Sequence, residues 1–366
     1  MTLAIFSFYN INTQQTTTNN MKNARLVIAV LLAIVLSSFD TGHKTTIFMI
    51  GDSTMANKDT SNDKQERGWG MVLQSYFTDD IVIDNHAVNG RSSKSFIDEG
   101  RWQRVLEKIQ PGDYVFIQFG HNDEKKNPDR HTEPGGSFDE NLKRFVNEAR
   151  AAGGIPVLFN AVVRRNFFRQ VDNLTDDESL RNTKFDDFDE KINSDTLIDT
   201  HGRYLESPKI VAEQLHVPFV DANKITHDLE QRLGIKGSRR LHMWFRPGDH
   251  PSVPQGRKDN THYNIYGAHV VAGLLVDEIA RCVPALTPFV RHYDIVAAKD
   301  GSGHFYDIKD AIKMASKGLI FSPTGEGRVK GGKKITILVG NGRWEKPSIP
   351  SGKNIEIVNR EQTTYN

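Results

Sequence analysis

Five short apolar runs, Thr45–Ile50, Ile81–Asp84, Tyr114–Phe119, Pro156–Asn160 and Pro218–Val220, alternate with stretches of helical spacing. That alternation constrains what the chain can fold into more than any other feature. The helical stretches lie near Met71–Phe77, Arg101–Ile109, Phe138–Ala152 and Tyr204–Leu215. A last one, Tyr266–Arg281, carries Val270, Val271, Leu274, Leu275 and Ile279 at helical intervals. Strands that are apolar almost throughout have to be covered on both faces, and the intervening helices supply the cover. The pattern therefore predicts an α/β fold around a doubly wound parallel sheet. Ligands of such sheets bind at the carboxyl ends of the strands, so the residues just past each strand are where chemistry belongs.

After the first run comes Gly51-Asp52-Ser53-Thr54, after the second Asn89-Gly90-Arg91-Ser92, and after the third Gly120-His121-Asn122-Asp123. Asp259-Asn260-Thr261-His262 stands just before the last helical stretch. Together they supply the parts that acyl transfer needs. A serine on a tight turn can project its hydroxyl, but it needs a base to become a nucleophile. His262 can be that base, and Asp259 can hold its tautomer and stabilise the imidazolium. The N–H groups of Ser53 and Gly90 and the side-chain amide of Asn122 can receive the oxyanion. Glycine at 90 would let the backbone approach the ester oxygen without a Cβ in the way. Plainer roles exist for each: Asp52 and Ser53 as caps, Gly90 as a turn residue, Asn122 as a loop brace, Asp123 as an orienter or a cap. A metal reading would group Asp259 and His262 with His242, Asp249 or His250, although the triad explains their spacing without one.

These four blocks, in this order, resemble the SGNH (GDSL) hydrolase family, over roughly Thr45 to Val283. No Gly-x-Ser-x-Gly elbow surrounds Ser53, which argues against the ordinary α/β-hydrolases. The resemblance implies a flavodoxin-like, five-stranded parallel sheet of the SGNH type, catalysis by Ser53, Asp259 and His262, an oxyanion hole of Ser53, Gly90 and Asn122, and no metal or other cofactor. Within the SGNH hydrolases the sequence looks most like the rhamnogalacturonan acetylesterases. The pointers are Gly51-Asp52-Ser53-Thr54-Met55-Ala56, Asn89-Gly90-Arg91-Ser92-Ser93-Lys94-Ser95-Phe96, Phe119-Gly120-His121-Asn122-Asp123 and Asp259-Asn260-Thr261-His262-Tyr263. That likeness implies deacetylation of galacturonate residues in pectin, with an acetylated acidic polysaccharide as the partner. Acetylated xylan, a lipid ester, or a purely binding role are the alternatives.

A polyuronate is anionic, so cations near the site would favour it. Arg91 adjoins the proposed oxyanion donor, Arg164-Arg165 follow the fourth strand, and Arg239-Arg240 with Trp244 precede the Asp-His block. Arg91, Arg165, Arg240 and Trp244 are the candidate sugar contacts, since arginine forks carboxylates and aromatic faces stack on rings. The acid-rich stretch Asp172–Glu190 works against a uniformly positive face. Lys+Arg of 47 against Asp+Glu of 46 leaves no basic excess to attract nucleic acid. The single cysteine, Cys282, excludes an internal disulfide and a cysteine-based zinc site.

Both ends of the chain stand apart. From Met21, a basic start and the eleven apolar residues Leu26 to Leu36, closed by Ser37-Ser38, read as a secretory signal peptide. The run is too short for a membrane span, which takes ~20 residues. The expectation is an overlong start and leader over 1–38, true initiation at Met21, and export to the periplasm or the exterior. A hydrolase domain would occupy 39–285. From about Arg291, β-rich runs punctuated by Gly, Pro and Asn replace the βα pattern. Residues Ala298-Lys299-Asp300-Gly301-Ser302-Gly303-His304-Phe305 resemble the start of a pectin methylesterase, whose fold is a right-handed parallel β-helix. The resemblance implies a truncated solenoid over 291–366, with no second active site, an open sheet end and, from that, poor packing over the whole segment.

Overall fold

The computed structural model describes residues 43–169, 180–181, 190–321, 327–329 and 332–366. The proposed leader and most of the acid-rich stretch lie outside them. The central sheet contains β1 (Thr45–Gly51), β2 (Ile81–Asn85), β3 (Tyr114–Gln118), β4 (Ile155–Phe159) and β5 (Phe219–Val220), in the order β2-β1-β3-β4-β5, all parallel. This is the doubly wound order expected, with its switch point between β1 and β3. Alternate side chains feed two cores. Ile47, Met49, Phe116, Val157 and Phe159 face one side, and Phe48, Ile50, Val115, Ile117 and Leu158 the other.

The first face is covered by α1 (Trp69–Val72), the 3-10 turn Leu73–Tyr76 that continues it, and a long C-terminal helix. The second is covered by α2 (Ser93–Asp98), α3 (Arg101–Leu106), α4 (Ser137–Ala151) and α5 (Glu206–Leu215). α6 (Ala222–Ser238) and α7 (Ile265–Cys282) complete the hydrolase portion. A two-residue antiparallel pair, Glu66–Arg67 with Tyr263–Asn264, ties the loop after β1 to the chain entering α7. Among the described residues no helix is long and apolar enough to cross a membrane.

Beyond Arg291 the chain builds β6 (Ile295–Ala297), α8 (Ile308–Ser316), β7 (Ile335–Val339), β8 (Gly342–Trp344), β9 (Ile355–Asn359) and β10 (Thr363–Tyr365). β6, β7 and β9 form one parallel sheet, and β8 and β10 pair in parallel beside it. The expectation of poor packing is wrong. Ile295, Ile312, Ile337, Val339 and Trp344 make a buried core of their own, with α8 against the strands. The segment is also fastened to the hydrolase. Buried Arg360 donates to Phe77 O (2.7 Å) and Asp79 Oδ1 (2.8 Å), Arg67 Nε donates to Gly301 O (2.7 Å), and the His304 ring stacks on His269 at 3.7 Å.

Candidate active site

Ser53 stands on a turn that Asp52 builds. The buried Asp52 carboxylate accepts from Thr54 N (2.9 Å) and Thr54 Oγ1 (2.8 Å), folding the chain back under the serine. Burial pushes the Asp52 carboxyl up from its ordinary range, against those bonds and the nearby Arg164 and His262. Ser53 itself caps nothing; its Oγ lies 2.9 Å from His262 Nε2. His262 Nδ1 lies 2.9 Å from Asp259 Oδ2 and 3.2 Å from Oδ1. Asp259 Oδ1 also accepts from Thr261 N and His262 N (both 2.9 Å), and Oδ2 from Arg257 Nη2 (2.5 Å). Burial opposes ionisation of Asp259, but His262, Arg257 and Arg181 outweigh it and hold the carboxyl well below its usual range. An ionised Asp259 keeps the proton on Nδ1, which leaves the Nε2 lone pair facing the serine hydroxyl.

The candidate oxyanion donors line the same cavity as Ser53. Among the described residues, the N–H groups of Ser53 and Gly90 have no hydrogen-bond partner. Asn122 donates to Arg91 O (3.1 Å), which fixes its amide and leaves a second N–H to offer. Gly90 has φ +75°, while a Cβ there would meet only Arg130, at 3.6 Å and beyond. The positive φ by itself favours glycine at this position, whatever the space around it. Asp123 is an orienter: it accepts from Ser93 N (3.0 Å), Ser93 Oγ (2.5 Å), Gly120 N (3.1 Å) and Thr132 Oγ1 (3.0 Å), joining the loops after β2 and β3. Burial, helped by Asp52, pushes its carboxyl up to about 7 despite those donors.

Ser53, Gly90, Asn122 and His262 line a cavity of about 370 Å³. Its described wall carries cations, but not those expected. Arg91 turns away to pair with Glu99 at 3.1 Å. Arg165 is fully buried: it donates to Ser238 Oγ and Asn260 Oδ1 (both 2.9 Å) and pairs with Glu190, so no face of it can meet a sugar. Trp244 donates to Asn260 Oδ1 (2.8 Å) and carries Arg239 over its ring at 4.3 Å. Arg240 lies over Tyr266 at 5.5 Å. None of these four lines the cavity. The wall is lined instead by Lys125, Arg130, Arg164 and Arg181, together with Glu66.

Glu66 was not foreseen. It takes Arg257 Nη1 (2.9 Å) on one oxygen and Lys58 Nζ (2.8 Å) on the other, and so braces the arginine that holds Asp259. Burial disfavours its charge, but His262, Lys58 and Arg257 bring its carboxyl down to about 2. Arg257, two residues before Asp259, was the one sequence signal for this network. The residues of the metal alternative lie apart. His242 is buried against Glu230 (2.8 Å), Asp249 accepts from Arg246 N (2.7 Å), and His250 faces Asp63 (3.2 Å).

The sequence profile of a family described as GDSL-like Lipase/Acylhydrolase matches residues 49–268. The chain is 36% identical over 233 residues to a rhamnogalacturonan acetylesterase, RhgT, of Bacillus subtilis, covering 64% of this chain and 88% of that one. A probable rhamnogalacturonan acetylesterase of the same organism, YesY, is 30% identical over 64% of this chain and 91% of its own length. The rhamnogalacturonan acetylesterase of Emericella nidulans is 27% identical, over 71% and 94% of the two chains.

Proposed function

The chain belongs to the GDSL-like lipase/acylhydrolase family and is a carboxylic ester hydrolase, and on that premise we propose that it deacetylates an acidic, pectic polysaccharide of the rhamnogalacturonan type. The observation that carries the reading is the serine-histidine-aspartate line, 2.9 Å at each link, opening into a cavity walled by cations.

His262 Nε2 takes the proton as Ser53 Oγ attacks the acetyl carbonyl. The N–H groups of Ser53 and Gly90 and the Asn122 amide hold the oxyanion. The imidazolium, stabilised by Asp259, returns its proton to the departing sugar oxygen, leaving acetyl-Ser53. Water, deprotonated by the same imidazole, then attacks the acetyl group and releases acetate and free serine. None of these steps calls for a cofactor.

Names of the relatives and the cationic wall both support a uronate substrate over a neutral xylan or a lipid ester. The expected result is acetate release from acetylated rhamnogalacturonan well above that from acetylated xylan, abolished in Ser53→Ala. Activity retained in Ser53→Ala would overturn the mechanism, and equal rates on xylan would overturn the substrate. Export rests on the basic-then-apolar start at Met21–Ser38 and predicts a processed amino terminus in the exported protein. The parallel stacking of β7 on β9 and β8 on β10 supports the pectin methylesterase-like reading of the last segment.

A further inference from the structure

The cavity wall holds several cations, yet they differ in what they are free to do. Arg164 is spent: it donates to Thr200 Oγ1 and His121 O (both 3.1 Å) and pairs with Glu124. Arg181 is engaged, and its charge lies close enough to help hold the Asp259 carboxylate ionised. Lys125 is engaged as well. Arg130 alone among the described lining residues has no hydrogen bond or ion pair at its guanidinium.

Its position is built rather than incidental. The loop carrying it is pinned at both ends of a short turn. Arg130 N donates to Asn127 O (2.9 Å), and Thr132 donates through N and Oγ1 to Asp123 O and Oδ1 (3.1 and 3.0 Å). Half-buried, the guanidinium comes within 3.6 Å of where a Cβ on Gly90 would stand. Gly90 offers one of the two unpaired N–H groups assigned above to the oxyanion. An unpaired arginine fork at the wall of a confined site is a receptor for a planar anion.

We propose that Arg130 is the specificity-determining residue of this esterase and forks the ring carboxylate of the uronate residue whose acetyl ester is being cleaved. The assignment rests on the esterase reading above and narrows it to one side chain. Ester and carboxylate are borne by the same sugar ring. The carboxylate therefore has to fall within a ring's width of the Gly90 N–H, where Arg130 waits. The competing role for the same geometry is a fourth donor to the oxyanion. The two roles separate cleanly, because every ester makes an oxyanion but only a uronate brings a carboxylate.

The test measures kcat/KM on three substrates: an acetylated oligogalacturonide with free carboxylates, the same oligosaccharide with its carboxylates methyl-esterified, and 4-nitrophenyl acetate. Wild type, Arg130→Gln and Arg130→Lys are compared, with thermal melting as the folding control. Wild type should prefer the free acid by about 10–100-fold, the weight of one charge-assisted fork. Arg130→Gln should abolish that preference and leave the aryl acetate within about twofold, since the acyl chemistry is untouched. Arg130→Lys should recover part of it. An intact preference in Arg130→Gln overturns the proposal, and so does an equal fall on all three substrates, which would mark an oxyanion donor. If wild type cleaves both oligosaccharides equally, Arg130 loses its role while the pectic reading stands. If it cleaves neither yet cleaves acetylated xylan, the pectic reading itself falls, and this assignment with it.

Discussion

Glu66 carries a charge that the candidate triad depends on, although it hydrogen-bonds to none of Ser53, Asp259 and His262. It lies between Lys58 and Arg257, and Arg257 passes its other nitrogen to Asp259. The folded carboxyl titrates at about 2, below the ordinary 4.5. A carboxyl depressed on folding contributes stability above its unfolded value, and that contribution is lost as the pH falls through the folded one. Glu66 therefore contributes above pH 4.5 and ceases to between there and about pH 2. The size is roughly 2–3 kcal/mol for a largely buried group. Glu66→Gln should be less stable than wild type at pH 7 by about that amount, with the gap closing towards pH 2.5. Urea midpoints at pH 7, 4.5 and 2.5 would show it, and a gap that did not change with pH would count against this account.

α7 aims the histidine. Its cap, Asn264, accepts from Gly267 N (2.9 Å) and donates to Arg240 O and His242 O (both 2.9 Å), so the short strand directly after His262 and the helix start are set as one piece. Gly267 lets that piece sit close: a Cβ there would come within 1.9 Å of Leu241 O, and backbone cannot yield cheaply. Gly267→Ala should cost about 2–4 kcal/mol, and it should lower kcat on any acetate ester because His262 moves from Ser53. Lost stability with kcat unchanged would mean that α7 does not position the base. The sequence makes the strands and α7 readable because apolar runs and helical intervals are long enough to exceed noise. α2 was not foreseen, since its Ser-Lys-Ser start has little apolar content and its stability comes from the reciprocal Ser92 and Ser95 cap. α6 was missed for another reason: Gly234, at φ +67°, breaks its helical run. The candidate triad and oxyanion positions were legible because each block stands just past a strand or just before a helix. The wall was not, because neighbours in sequence diverge in space. Arg164 reaches the cavity while Arg165 is sealed in the core, and Arg130 comes from a loop with no motif beside it.

At the scale of the molecule, the segment after Arg291 acts as a brace, with contacts at two distinct places. Near the amino ends of the strands, Arg360 fills the turn before β2. It donates to Phe77 O and Asp79 Oδ1, and Glu361 N donates to Asp79 Oδ2 (2.8 Å). On the other side, Arg67, next to Glu66, donates to Gly301 O (2.7 Å) and to Tyr306 Oη (2.6 Å). The first contact is remote from the carboxyl ends of the strands, where Ser53 stands, so it bears on stability without bearing on chemistry. Arg360→Ala strips buried carbonyls and Asp79 of their donor and should cost about 3 kcal/mol. For a chain of this size that is a fall in Tm of about 4–5 °C, with kcat at 25 °C unaltered. Hydrogen exchange gives the finer readout. In the wild type, amides of β7 should approach the protection of β1, because opening the segment exposes Arg360, Arg67 and the stacked His269 and His304 together. In Arg360→Ala the protection of β7 should fall below that of β1. A loose appendage would give the opposite pattern, with β7 exchanging freely in wild type and no change in Tm in the variant.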